Sequence, residues 1–395
     1  MRGEEHEIQY QVRTDPHPSF DRLRTGQAFS RLREKGIKTL QQEINAMSTV
    51  KPNYTRPLDI KNGRVDMSHG SGGRAMAQLI TELFAAAFDN EYLAQGNDGA
   101  LLPSASGRLV MATDSHVVSP LFFAGGDIGC LSVHGTINDV AVMGATPLYL
   151  SAGFILEEGF PLADLKLIVD SMAKAAREAG VPIVTGDTKV VEQGKGDGVF
   201  ITTTGVGVVR EGVDLSGDLA RPGDKILLSG TIGVHGMAIL SQREGLTFSA
   251  PIVSDTAALH GLIAAMLDSG AKLRVLRDPT RGGLATTLNE IAKQSGVGMM
   301  LQESAIAVNQ PVEAACEFLG LDPLYVANEG KLVAICAPED AARLLEVRRA
   351  HPLGKDASVI GEVRDDAHGF VQMTTRLGGR RVVDWLAGEQ LPRIC

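Results

Sequence analysis

Four cysteines are thinly spread over 395 residues, Cys130, Cys316, Cys336 and Cys395, with no CxxC pair and no histidine at zinc-ligand spacing. This excludes a structural zinc and a disulfide framework as organising devices, and points to reduced thiols in a reducing compartment. No stretch approaches the ~18 to 20 uninterrupted apolar residues that a membrane span needs. The N-terminus carries Glu4, Glu5 and Glu7 where a secretory signal would be basic and then apolar, so a cytoplasmic protein is expected. Excess positive charge is missing as well: 38 Lys and Arg against 47 Asp and Glu leave a net charge of −9, which argues against a general nucleic-acid binder. Small charged ligands would need a metal or local backbone dipoles. No GxxxxGK[ST] loop is present to hold a triphosphate in the P-loop manner.

What is there is globular in texture, 44% hydrophobic and 22% charged, and long enough for two domains. Residues 1–66 differ in kind, carrying a net +3 against −12 for the remainder. Apart from a possible short helix over 29–40 they read as a disordered extension, or as sequence upstream of a true start at Met47 or Met67. From Met67 onward strand-like and helix-like segments alternate between glycines. Met76, Leu79, Ile80, Leu83, Phe84 and Ala87 have helical spacing, and 'RLVMATD' reads as a short buried strand. A helix is expected after Pro161 with Gly180 as its stop, then strand 'VPIVTGD' and the Thr-rich 'GVFITTTGVGVV'. 'ARPGDKILLSG' reads as a linker turn, placing a domain boundary near 212–221. The expected organisation is 67–215, 216–385 and a mobile tail 386–395, each domain of α/β or α+β layer architecture.

Asp114, Asp187 and Asp278 each follow a strand-like run, where α/β sheets bind ligands, and carboxylate oxygen is the donor Mg²⁺ selects. Asp98 in 'GNDGA' and Asp139 in 'TINDVAVMGA' are further candidates; turn capping is the competing role for any one of them. 'HGSGGRAM' has Gly70, Gly72 and Ala75 in GxGxx[GA] spacing, yet no good strand precedes it, so a Rossmann site is not indicated. It remains a Gly-Ser loop opening onto a helix, whose free N–H groups suit phosphate, and 'TRGGLATT' has the same form. Lys189 and Glu329 stand beside glycines in otherwise apolar runs. His69 heads the first loop, His134 reads as a structural histidine and Cys130 as a small core residue.

Taken together, 'HGSGGRAM', 'TDSHVVSPLFFAGGDIGCLSVHGTINDVAVMGATPLYLSAGFILEEG', 'VTGDTKVV', 'RDPTRGG', 'ANEGKLVAI', 'HPLGKDASVIGEV' and the terminal 'PRIC' resemble the HypE family of hydrogenase maturation factors. The likeness covers Met67 to Cys395. It implies a two-domain PurM-like fold, with an N-terminal ATP-binding mixed-sheet domain and a C-terminal α/β domain, in a homodimer that uses ATP and Mg²⁺. The implied activity is carbamoyl dehydration: the terminal thiol takes a carbamoyl group from the carbamoyltransferase HypF, and ATP converts it to a thiocyanate for the HypC–HypD iron-loading complex. On this resemblance Cys395, Glu329 and Lys189 are catalytic, with Glu329 the proton acceptor and Lys189 its partner or a charge on the phosphorylated intermediate. His69, Gly70, Ser71, Gly72, Gly73, Asn138, Gly186, Thr280, Gly282 and Gly283 would contact nucleotide, and Asp98, Asp114, Asp139, Asp187 and Asp278 would hold metal. The tail suits a carrier, since eight residues from Gly388 can extend roughly 26 to 29 Å. The competing readings are a small-molecule kinase or synthetase of the same superfamily, indifferent to Cys395, and a carrier without catalysis.

Overall fold

The computed structural model describes residues 57–248, 250–388 and 393–395, and the expected helix over 29–40 lies outside them. One compact unit spans Leu58–Cys395. It therefore starts ahead of Met67, and Val65 is already buried in the core.

The N-terminal part is a four-stranded sheet in the order β1 (Leu109–His116), β6 (Val199–Val209), β4 (Ala145–Glu157) and β5 (Ile183–Val191). All neighbours run antiparallel except β4 and β5. A two-strand ribbon, β2 (Phe122–Phe123) and β3 (Gly126–Asp127), leads into the first long helix. A short helix α1 (Arg74–Leu79) precedes the sheet, α2 (Ile128–Val142) packs on it, and α3 (Leu162–Ala179) packs against α2. Helix α2 buries 12 of its 15 residues, so it is the core element of this half and not a surface helix. Asp127 caps it, its carboxylate accepting from the Gly129 and Cys130 N–H groups. Helix α3 is amphipathic, with Leu165, Ile168, Val169 and Met172 inward, and Gly180 ends it at φ 69°.

Two details depart from the sequence reading. The apolar repeat from Met76 does not make one regular helix: α1 passes into a π-helical turn (Ile80–Ala85) and then a last α-helical turn (Ala86–Phe88). Strand β1 is covered on one face only, so Leu109 and Met111 point outward at 64% and 73% exposure, with Ile155 of β4 also exposed at 43%. Alternation along the strand sends Leu109 and Met111 to the open side, and Val110, Ala112 and Asp114 to the helix side.

The C-terminal part is a seven-stranded sheet in the order β13 (Arg380–Val382), β12 (Val371–Thr374), β9 (Gly298–Gln302), β11 (Ser358–Arg364), β7 (Lys225–Leu228), β10 (Val333–Cys336) and β8 (Leu273–Arg277). Helices α4 (Val234–Arg243), α5 (His260–Asp268), α6 (Gly283–Ser295), α7 (Gln310–Leu319) and α8 (Ala341–Ala350) complete it. The turn entering β7 is pinned by Asp224, which accepts from the Arg221 N–H and pairs with Arg274 at 2.7 Å in a buried setting. Asn138 of α2 ties the two halves: its Oδ1 accepts from the Leu259 N–H at 2.7 Å and its Nδ2 donates to the Ala257 carbonyl at 3.0 Å.

Helices α2 and α3 cross so closely at Gly129 that a Cβ there would lie 2.2 Å from the Ile168 carbonyl oxygen. Backbone cannot yield as a side chain does, so Gly129→Ala is expected to destabilise the protein by about 1–3 kcal/mol through overpacking. A urea midpoint equal to that of the unaltered chain would refute this account of the crossing.

Candidate active site

Five segments converge on one small cavity of about 160 Å³. Strand β1 supplies Asp114, helix α2 supplies Gly135 and Asp139, the β8–α6 loop supplies Asp278, Thr280 and Arg281, and the loop before β10 supplies Glu329. The fifth is the chain's own end, Cys395. Gly135 lets β1 approach α2, since a Cβ there would come within 3.1 Å of His116 Nε2 and 3.4 Å of Asp114 Oδ2.

The last three residues are seated by hydrogen bonds along β1's exit. The Val117 N–H donates to the Cys395 carbonyl oxygen at 3.0 Å and the Ser119 N–H to the Arg393 carbonyl at 3.2 Å. Arg243 donates to the same Arg393 carbonyl at 2.7 Å, and His235 Nε2 lies 2.9 Å from the Ile394 carbonyl. The Arg393 guanidinium pairs with Asp197, and the Ile394 side chain is 4% exposed within the core of the N-terminal half. Cys395 Sγ is thereby set 3.7 Å from Arg281 Nη2. Of the residues lining the cavity, Arg281 is the one Lys or Arg.

Electrostatics in this space are dominated by carboxyls deprived of water. Glu329 is 3% exposed, and burial, reinforced by the charges of Asp278, Asp255, Asp114 and Asp139, drives its pKa well above the carboxylate range. One of its oxygens, Oε1, is buried without a hydrogen-bond partner. Burial, followed by the proximity of Asp278 and Asp114, lifts Asp139 to about 8, and burial lifts Asp278 to about 6. Burial, then the Glu329 charge, pushes the Cys395 thiol up to about 11, with Arg281 opposing. Behind the cavity the Glu329 N–H donates to Asp255 Oδ1 at 3.1 Å, and Asp255 Oδ2 pairs with Lys331 at 3.1 Å.

Asp114, Asp139 and Asp278 suit a hard divalent cation by donor type and by mutual repulsion, which such a charge would relieve. They do not form a closed cage: among the described residues no three acidic, histidine or cysteine side chains converge as a set that could hold a metal. Mg²⁺ does not require such a cage, since it commonly binds through one or two carboxylates plus substrate phosphates.

The remaining sequence candidates lie elsewhere. Asp98 is in an exposed loop. Asp187 and Lys189 sit within β5, not past its end, and form an exposed ion pair with each other on the open face of the sheet. Within one chain Lys189 therefore does not line the Cys395 cavity. Gly186 and Asp187 edge a second, apolar cavity of about 120 Å³, walled by Met76, Ile80, Phe84 and Phe154. His69 is buried and its Nδ1 accepts from the Asp66 N–H at 3.0 Å, a local cap; Ser71 Oγ donates to the Ser68 carbonyl, and Gly70, Gly72 and Gly73 complete the approach to α1. Gly282 and Gly283 open α6 with positive φ next to Thr280. Asn138 is spent on the inter-half bonds above. Arg281 had no assigned role in the sequence reading, though it stands inside 'TRGG'; His235 and Asp255 carried no signal, because their partners are distant in the chain.

Residues 96–209 match the family described as AIR synthase related protein, N-terminal domain, and residues 221–374 its C-terminal domain counterpart. The carbamoyl dehydratase HypE of Cupriavidus necator is 73% identical over 348 residues, covering 88% of this chain and 99% of that protein. The chain belongs to the carbamoyl dehydratase HypE family. Among solved structures, a HypE in complex with ATP superposes with a TM-score of 0.81 at 53% identity, covering 84% of this chain and 99% of that one. A HypE–HypF complex superposes at 0.69 with 53% identity, covering 78% and 99%. Both halves of the HypE fold are thus present, and no helix among the described residues is long and apolar enough to cross a membrane.

The pKa of Cys395 leads to a pH test. A free thiol titrates near ~8.5, and the seated thiol near about 11, so seating binds the proton. Seating is at full strength below the lower value and is lost as pH rises through the upper one. Alkylation of Cys395 should keep accelerating past pH 9, whereas a peptide ending in LPRIC levels off. A plateau at the peptide's pH would mean the tail is not held.

Proposed function

We propose that Cys395 carries a carbamoyl group received from HypF, and that this chain uses ATP to dehydrate it to a protein-bound thiocyanate, the source of cyanide for the iron of a [NiFe]-hydrogenase. The observation that carries this reading is the seating of the C-terminal thiol in the same cavity as Glu329, Arg281 and three aspartates. A kinase of free small molecules would have no use for a tail so placed. HypE naming at 73% identity and a HypE structure that holds ATP support the same reading.

The balance of the reaction sets what the residues must do. In the first step the thiocarbamate oxygen takes the γ-phosphoryl group and one N–H proton leaves, giving a phosphoryl imidate and ADP. In the second the remaining N–H proton leaves, the C–O bond breaks, phosphate departs and C≡N forms. Glu329 is assigned as the acceptor of the first of these protons, its Oε1 buried without a partner, and the departing phosphate takes the second. Arg281 stands 3.7 Å from the sulfur. Asp114, Asp139 and Asp278 would hold Mg²⁺, whose charge would offset the carboxyls that keep Glu329 protonated and would stabilise the transferring phosphoryl group. The apolar cavity between α1 and β5 suits the nucleotide base, with the Gly-rich start of α1 and the Gly282–Gly283 turn for phosphates. Lys189 and Asp187 stand on the open sheet face beside Ile155. A homodimer built on that face covers its apolar residues, and it is the arrangement in which Lys189 reaches a carbamoyl group. Delivery to a HypC–HypD complex in the cytoplasm completes the route.

Intact mass after incubation with HypF, carbamoyl phosphate and MgATP should show one carbamoyl group on the C-terminal peptide, followed by loss of one water. Glu329→Gln should keep the first change and slow the second by about 10²-fold or more; normal thiocyanate formation would remove Glu329 from the role. Met111→Lys should yield a monomer by light scattering, and an unchanged dimer would move the interface off this face.

A further inference from the structure

We infer that His235 is the positioning residue of the carrier tail, its Nε2–H fixing the register in which Ile394 and Cys395 are seated. His235 is 0% exposed on α4, and its two ring nitrogens have one partner each. Nε2 lies 2.9 Å from the Ile394 carbonyl and Nδ1 lies 2.7 Å from Ser254 Oγ. Burial lowers its pKa, so the ring is neutral and has one donor and one acceptor. A carbonyl only accepts, so the proton sits on Nε2 and Nδ1 accepts from the Ser254 hydroxyl.

The ring is held before the tail arrives. Ser254 is anchored by its own N–H donating to the Ala124 carbonyl at 2.8 Å, and its Oγ accepts from the Thr256 N–H at 3.2 Å. Phe123 packs edge-on against the imidazole, centroids 5.6 Å apart and planes at 89°. The donor left over therefore points at one place, and the Ile394 carbonyl occupies it. The remaining polar tail contacts come from backbone N–H groups of 117 and 119 and from the side chains of Arg243, Arg281 and Arg393, none of them a fully buried residue. Among the tail's side-chain partners His235 is the fully buried one, so its bond is the one whose loss leaves a buried polar group unmet.

The inference deepens the carrier reading, yet it is tested on the unmodified full-length chain, where no carbamoyl group is needed. Cys395 alkylation by iodoacetamide at pH 8 is followed by mass on the C-terminal peptide. His235→Phe keeps the ring against Phe123 and loses the donor; it should raise the rate by about tenfold, the ratio matching one lost buried hydrogen bond. His235→Gln restores a donor and should stay within about threefold of the unaltered chain. An unchanged rate in a folded Phe variant would overturn the inference. Should that variant not fold, histidine-selective ¹⁵N spectra of the unaltered protein decide: His235 is protonated on Nε2, and its signal shifts when residues 394–395 are removed. No shift would overturn the inference equally. Carbamoylation that fails while alkylation behaves as stated would sink the carrier reading and leave the role of His235 standing.

Discussion

A carboxyl group moved out of water into a space already occupied by other carboxyls holds its proton far above its usual pH, and that constraint governs the Cys395 cavity. Glu329 is the extreme case, buried and with an unpartnered oxygen, while Asp139 and Asp278 follow it upward. An arrangement so costly in the free chain is stable only because the backbone around it is tied down. The Glu329 N–H is held by Asp255, Asp255 by Lys331, and the neighbouring segment 257–259 by Asn138 across from α2. The strain of like charges is thus met by a rigid frame, leaving the site ready to gain from any cation that enters it.

The two halves of the chain divide this labour. The N-terminal sheet and α2 contribute Asp114 and Asp139 from regular elements, where packing fixes their position; at Gly129 helix meets helix too closely for a side chain, and at Gly135 helix and strand leave only a tight fit. The C-terminal half contributes Asp278, Arg281 and Glu329 from loops at the ends of β8 and before β10. Such loops move more readily than the sheets they join, which suits the proposed meeting of tail and nucleotide at this site.

Much of this was legible in the sequence, and the reason differs by residue. Helix α3 was readable because a 3.6-residue apolar stripe ended on a glycine, and Asp114, Asp278 and Glu329 stood out against apolar strands. The terminal cysteine was readable only through the resemblance, as the end of 'PRIC'. The π-helical turn after α1 was not readable, since the same apolar spacing serves an α-helix. Nor was the outward face of β1, where leucine and methionine look like core until the sheet's single cover is known. His235 and Ile394 lie 159 positions apart, and Asn138 reaches Ala257 over 119. Contacts of that span leave no local periodicity to read; they exist only once both halves have folded.

The thiol's chemistry explains why the carrier has to travel. Seated, Cys395 is held protonated by burial and by Glu329, which makes it a poor nucleophile at neutral pH. On the proposed function, carbamoyl acceptance is therefore assigned to an unseated tail, in surroundings that can ionise sulfur. Once carbamoylated, the sulfur has no proton to lose, and the features that silenced it become useful. On the proposed function, an enclosed cavity would protect a phosphorylated intermediate from hydrolysis, and Mg²⁺ held by the aspartates would free Glu329 to take a proton. A single static site could not serve both steps, because one needs a thiolate and the other a space from which charge on sulfur is excluded.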